Sequence, residues 1–179
     1  MKNILIISTS PRKGGNSEIL ADEFKRGALE SGHNVEKICL YDKNIGFCKG
    51  CLVCQTTKNC VIEDDANAIG EKMLHADAIV FATPIYYYEM CGQMKTLLDR
   101  SNPIFPQKYA FRDIYLLAAS ADVDPASMDG AVKGLQGWID CFGLTNLAGV
   151  VRGVGAAQPG DIRNSPSILQ DAYQMGKNV

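Results

Sequence analysis

An unbroken apolar run at Asn3–Ser8 passes through one short loop into an amphipathic stretch at Ser17–Ser31, and this pairing constrains the fold more than any other feature. A run that is apolar at every position suits a strand covered on both faces, because a strand with one wet face alternates. In Ser17–Ser31 the residues Leu20, Phe24, Ala28 and Ser31 recur at helical spacing, and Gly32 supplies the stop. The alternation then repeats. Val35–Leu40 predicts a second strand, and Asp65–His75 a helix that Asp64 or Asp65 can cap. Asp77–Ala82 predicts a third buried strand, followed by a short helix at Gly92–Arg100 and a fourth strand at Ile114–Ala119. Ala131, Leu135, Trp138, Ile139 and Phe142 form the apolar stripe of a fourth helix. Asn146–Val151 reads as a fifth strand and Ser167–Lys177 as a terminal helix.

Strands alternating with helices require right-handed crossovers, hence a parallel sheet with helices on both faces. For five strands this predicts an α/β, flavodoxin-like doubly wound sheet of order 2-1-3-4-5. Ligands then bind outside the carboxyl ends of the strands, where strands 1 and 3 diverge. A length of 179 residues suits one domain, 1–179, with one sizeable core. A formal net charge of −2 gives no reason to expect nucleic acid or an acidic membrane as partner. No run is long enough to cross a membrane, and the apolar Ile4–Ile7 is too short for a signal peptide, so the cytoplasm is the expected compartment.

Three loops at the functional rim carry chemistry. Ser8-Thr9-Ser10-Pro11-Arg12-Lys13-Gly14-Gly15-Asn16-Ser17 offers hydroxyls, two cations and two glycines before a helix N-terminus, a combination suited to an anion. Asn16 or Ser17 can cap that helix and reach a phosphate oxygen. The same residues also make an ordinary solvated connection. The spacing is neither a Walker A loop nor a dinucleotide G-x-G-x-x-G. After strand 3, Thr83-Pro84-Ile85-Tyr86-Tyr87-Tyr88-Glu89 supplies a stiffening proline and flat aromatic faces, suited to an isoalloxazine ring or to packing at a subunit interface.

After strand 2, Cys48, Cys51, Cys54 and Cys60 follow the spacing C-x2-C-x2-C-x5-C in a stretch without evident regular structure. Three thiols at x2 steps with a fourth beyond match the arithmetic of iron–sulfur runs, whereas zinc sites more often pair two knuckles across a longer gap. Free thiols in a loop are the plain alternative. His33, His75 and Trp138 have no partners that suggest a site; Gly153-Val154-Gly155 is a partial dinucleotide pattern at best. Cys39, Cys91 and Cys141 read as small buried residues.

The run Ser8-x-Ser10-Pro11-Arg12-x-x-x-Asn16-Ser17 resembles the phosphate loop of the NADPH-dependent FMN reductase and iron–sulfur flavoprotein families, with Thr9 where such proteins often have glycine. Pro84-Ile85-Tyr86, then Lys95-x-x-x-Asp99-Arg100, is similar to their second flavin loop and the helix after it. The resemblance implies FMN held by Ser8, Ser10, Arg12, Asn16, Ser17, Pro84, Ile85, Tyr86 and Tyr87, with Ser120 from a third segment, Ala119–Asp122 after strand 4, that departs from the threonine- and glycine-rich version common among relatives. It further implies a 4Fe-4S cluster on Cys48, Cys51, Cys54 and Cys60, although many relatives with similar cysteines work as plain FMN oxidoreductases. The activity implied is an NAD(P)H-dependent FMN oxidoreductase without a catalytic side chain, passing electrons to a small-molecule or protein acceptor. Its alternative is an iron–sulfur flavoprotein exchanging electrons with a ferredoxin-like partner. A third possibility, of another class, is a non-catalytic zinc-binding module. A homodimer or homotetramer is expected in the flavin-binding cases.

Overall fold

The computed structural model describes residues 1–179. Strand β1 (Asn3–Ser8) leads into helix α1 (Asn16–Glu30) and strand β2 (Asn34–Cys39), and the cysteine loop that follows contains the short helix α2 (Val53–Thr57). Then come α3 (Asp65–His75), β3 (Ala78–Tyr86), β4 (Glu89–Met90), α4 (Gly92–Arg100), β5 (Asp113–Ala119), α5 (Asp129–Ile139), β6 (Asn146–Gly153) and α6 (Pro166–Lys177). The parallel strands follow the order β2-β1-β3-β5-β6, which is the expected 2-1-3-4-5, while β4 pairs antiparallel to β3. No helix is long and apolar enough to cross a membrane.

Alternate residues of each central strand feed two separate cores, as the two-residue strand period requires. Leu5, Ile7, Ile79 and Phe81 face α3, α4 and α5, where Met73, Met94, Leu97 and Leu135 complete one cluster. Ile4, Ile6, Ala78, Val80 and Ala82 face α1 and α6, with Leu20, Phe24 and Ala172 in the other. The second face has the smaller strand residues, so its helices approach closely. A Cβ at Gly27 would collide with the carbonyl oxygen of Tyr173, and one at Gly176 with that of Phe24. These two glycines set the α1–α6 contact.

The structure corrects several expectations. β3 continues past Ala82 to Tyr86 and folds back into β4, so there are six strands, and the tyrosine loop is a hairpin. Tyr87 and Tyr88 occupy its turn with φ of 52° and 63°, a left-handed pair for which sequence reasoning looks for Asn or Gly. The cysteine stretch is not wholly irregular, because α2 forms within it. Cys141 is exposed rather than buried, and Cys39 is only partly buried. Neither Asn16 nor Ser17 caps α1; its N-cap is Gly15, with no side-chain cap bond.

Gly27→Ala is expected to cost about 1–3 kcal/mol by overpacking the α1–α6 contact. Urea unfolding monitored by circular dichroism measures it.

Candidate functional site

A cleft of about 170 Å³ opens at the carboxyl ends of β1, β3, β5 and β6, lined by Ser10, Arg12, Gly15, Asn16, Ser17, Pro84, Ile85 and Tyr86 from the first and second loops. Ala119 and Ala121 supply the floor from the third segment, and Ala156, Ala157 and Pro159 close the side opposite the hairpin. A larger groove of about 610 Å³ lies among the opposite strand ends, lined by Leu5, His33, Glu36 and His75, away from these loops.

The first loop is built to present donors inward. Ser10 Oγ accepts from the Arg12 amide at 3.1 Å and donates to the Arg12 carbonyl at 2.9 Å, which fixes the turn. A Cβ at Gly15 would lie 2.6 Å from Ser10 Oγ, so only glycine fits beneath the turn. Gly14, at φ 67°, donates its N–H to Glu18 Oε2 at 2.7 Å. Burial opposes ionisation of Glu18, yet that N–H, Lys37 and Cys39 hold its pKa below the ordinary value. The first backbone bond of α1 runs from Ile19 to Gly15, which leaves the N–H groups of its opening turn for another partner. Ser8 Oγ and Ser17 Oγ lie buried beside this turn without any hydrogen-bond partner. Arg12 sits exposed over the mouth. Two orphaned hydroxyls, free helix N–H groups and a guanidinium together fit a phosphate group.

Thr9 is fully buried and ties the loops together. Its Oγ1 donates to the Ala82 carbonyl at 2.9 Å and meets Cys91 Sγ at 3.2 Å. The Cys91 amide in turn donates to Thr83 Oγ1 at 3.2 Å. The first loop is therefore hydrogen-bonded to both ends of the hairpin.

Among the residues singled out from sequence, seven line the cleft: Ser10, Arg12, Asn16, Ser17, Pro84, Ile85 and Tyr86. Ser8 lies beneath it. Asn16 faces the cleft but its side-chain amide is fully engaged: Nδ2 donates to the carbonyls of Ala156 and Gln158, and Oδ1 accepts from the amides of Gly160 and Ile162. Tyr87 is fully exposed and its ring stands outside the cleft. Ser120 is turned into the chain, accepting from the Asp122 amide and bonding Ser127 Oγ, while its neighbours Ala119 and Ala121 face the cleft. The Ala156–Pro159 wall was missed. Its signal was faint, since alanine and proline after β6 carry no chemistry of their own.

The four loop cysteines are free and do not converge: no three lie within reach of one ion, with Cys48 and Cys51 exposed and Cys54 buried. Gly50, Leu52 and Lys58 between them hold left-handed backbone, at φ 64°, 57° and 59°. Four thiols are the donor type that iron–sulfur clusters and zinc both take. Cys48 Sγ meets the Gly50 N–H and Cys54 Sγ meets Asn102 Nδ2, each at 3.4 Å. Beneath the loop, Arg100 and Asp64 form a buried bidentate pair at 2.6 and 2.9 Å. Burial pushes the Asp64 pKa up, but Arg100 and the amides of Gly46 and Ala66 outweigh it and hold it below the usual carboxylate range.

The family model for NADPH-dependent FMN reductase matches residues 2–158. An iron–sulfur flavoprotein of Methanocaldococcus jannaschii is 33% identical, covering 98% of this chain and 94% of its own. A Bacillus subtilis protein, assigned by its name to the NAD(P)H-dependent, FMN-containing oxidoreductases, is 28% identical over 97% of this chain and 96% of its own. Among solved structures, an NAD(P)H:quinone oxidoreductase from Methanothermobacter marburgensis superposes with a TM-score of 0.79 at 17% identity. The superposition covers 99% of this chain and 96% of that one, a likeness of fold.

Asp64→Asn breaks the buried pair and is expected to cost about 3–5 kcal/mol in urea unfolding at pH 7. Because the folded-state pKa of Asp64 is depressed, its contribution is full above the unfolded value of about 3.9 and is lost as pH falls through the folded one. The difference between wild type and variant should therefore shrink below about pH 4.

Proposed function

We propose, from the premise that this chain belongs to the NADPH-dependent FMN reductase family, that it is an FMN-dependent oxidoreductase supplied with electrons by NAD(P)H. The observation that carries this reading is the pair of buried, unpartnered hydroxyls of Ser8 and Ser17 beside the uncapped start of α1. Leaving two hydroxyls buried and unpaired costs about 1–3 kcal/mol each, and a phosphate removes that cost.

The residues divide the work. Ser8, Ser17 and the first N–H groups of α1 would donate to the phosphate, and Arg12 would supply its charge. Asn16 contributes its backbone N–H; its amide secures the far wall. Ser10 shapes the turn. Pro84, Ile85 and Tyr86 present the wall for the ring, with Tyr87 offering backbone groups, and Ser120 braces the floor. FMN held there would supply the redox chemistry of hydride and electron transfer, so no side-chain acid or base is needed. The acceptor is a small molecule or a protein.

The single-chain cleft, about 170 Å³, is smaller than the roughly 300–1,000 Å³ of complete small-molecule sites. That shortfall and the exposed Tyr87 and Tyr88 support a homodimer or homotetramer, in which a second copy adds cover.

A second reading adds a 4Fe-4S cluster on Cys48, Cys51, Cys54 and Cys60, with a ferredoxin-like partner. The N–H donors facing Cys48 and Cys54 favour it, as does the full-length relative named an iron–sulfur flavoprotein. A zinc module without flavin leaves the Ser8 and Ser17 hydroxyls unexplained.

The visible spectrum of anaerobically purified protein tests both readings. Flavin bands alone support the reductase, and added broad, bleachable absorbance supports the cluster. A colourless chain that takes up no FMN overturns the proposal. Arg12→Ala should weaken FMN binding about tenfold or more in a fluorescence-quenching titration, the loss expected for a charged hydrogen bond. Cys54→Ser should abolish iron binding in the second reading and leave FMN in place.

A further inference from the structure

Glu18, the third residue of α1, is buried behind the first loop. A carboxylate there works against any anion in the cleft unless its charge is offset. Its Oε2 accepts the Gly14 N–H at 2.7 Å. Its Oε1 faces β2, accepting from Lys37 Nζ at 3.2 Å and from Cys39 Sγ at 3.4 Å. Lys37 Nζ also donates to Asp22 Oδ1, one turn further along α1, so a single ammonium serves two carboxylates. Strand β2 grips one oxygen of Glu18 and the loop hangs from the other.

The arrangement is half of a capping box. In the complete motif the N-cap hydroxyl accepts the N–H of the third helical residue, whose own side chain reaches back to the N-cap amide. Here Glu18 reaches back one place further, to Gly14, and the N-cap is Gly15, which has no side chain to answer with. None would fit, since a Cβ there would lie 2.6 Å from Ser10 Oγ. The chain thus consumes the two amides before the helix, Gly14 on Glu18 and Gly15 on the Arg12 carbonyl, and leaves over those of the opening turn. Gly14 needs the tie. At φ 67° it holds one of the many conformations open to glycine, and without a partner for its N–H the turn would have to be ordered when a ligand binds.

We propose that Glu18 is the positioning residue of the first loop: held by Lys37, it takes the Gly14 N–H from behind and so keeps the amides of the opening turn of α1 free for a phosphate. The inference rests on the FMN reading above. Lys37 offsets the charge that would otherwise oppose the ligand. Two other roles make different predictions. A carboxylate that only stabilises the helix leaves phosphate binding indifferent to its loss. A carboxylate whose charge reaches the ligand opposes binding, so its removal tightens the complex.

The test uses the full chain as wild type, Glu18→Ala, Glu18→Asp and Glu18→Gln, each titrated with FMN and with riboflavin, which lacks the phosphate. Glu18→Ala leaves Lys37 its bond to Asp22, so no ammonium is stranded. Should it fail to fold, Glu18→Asp carries the test, because it keeps the charge beside Lys37 and falls one methylene short of Gly14. Glu18→Gln keeps an oxygen for the Gly14 N–H. Glu18→Ala and Glu18→Asp are each expected to lose FMN affinity about tenfold, the cost of ordering one loop residue anew on binding. Glu18→Gln should recover most of that loss, and riboflavin affinity should be the same in all four proteins. If riboflavin binds too weakly to titrate, the contrast between Glu18→Asp and Glu18→Gln decides. Folded variants that bind FMN as the wild type does, or more tightly, overturn this inference and leave the FMN reading standing. So does an equal loss for FMN and riboflavin. A wild type that takes up no FMN overturns both.

Discussion

Everything functional in this chain depends on the parallel pairing of β1 with both β2 and β3. A sheet covered on both faces hides its side chains from any ligand, so only the rim of strand ends is left for chemistry. Because β1 is flanked by strands whose connections leave in opposite directions, the loop after it and the loop after β3 face each other across a gap. The network of Thr9, Thr83 and Cys91 fixes the width of that gap from below. The cleft's donors then come from backbone geometry more than from charged side chains.

Much of this was legible in the sequence because it follows from periodicity. The continuous apolar run of β1 and the stripe through Leu20, Phe24 and Ala28 each allowed one reading, and their order determined the sheet. The boundaries that shifted are those where a side chain contradicts the backbone. Tyrosines at 87 and 88 hid a tight turn, because L-residues with positive φ are rarely expected there. The fit of Ser8 and Ser17 to an anion could be read from their types. That Asn16 would turn its amide toward residues 156–162 could not be, since those partners lie beyond any local pattern.

The first loop and the cysteine loop stand in different states of order. The first loop has its turn tied by Ser10 and Gly15 packed beneath it. In the cysteine loop Asn102 donates to Cys54 Sγ, but the sulfurs remain apart and Gly50, Leu52 and Lys58 hold left-handed backbone. A preformed site loses little entropy on binding, whereas a site that gathers its ligands must order chain at that moment. The Arg100–Asp64 pair limits this ordering by anchoring the far end of the loop to the core.

The four bonds of Asn16 also determine when the cleft exists. They join positions 140 to 146 residues apart. A ribosome delivers the phosphate loop early, together with the strand and helix that frame it, but the Ala156–Pro159 wall emerges only near the end of synthesis. Contacts of such long separation form late, after the entropy of closing the intervening chain has been overcome. A nascent chain therefore carries an open first loop through most of its translation, and the complete cleft belongs to the last stage of folding.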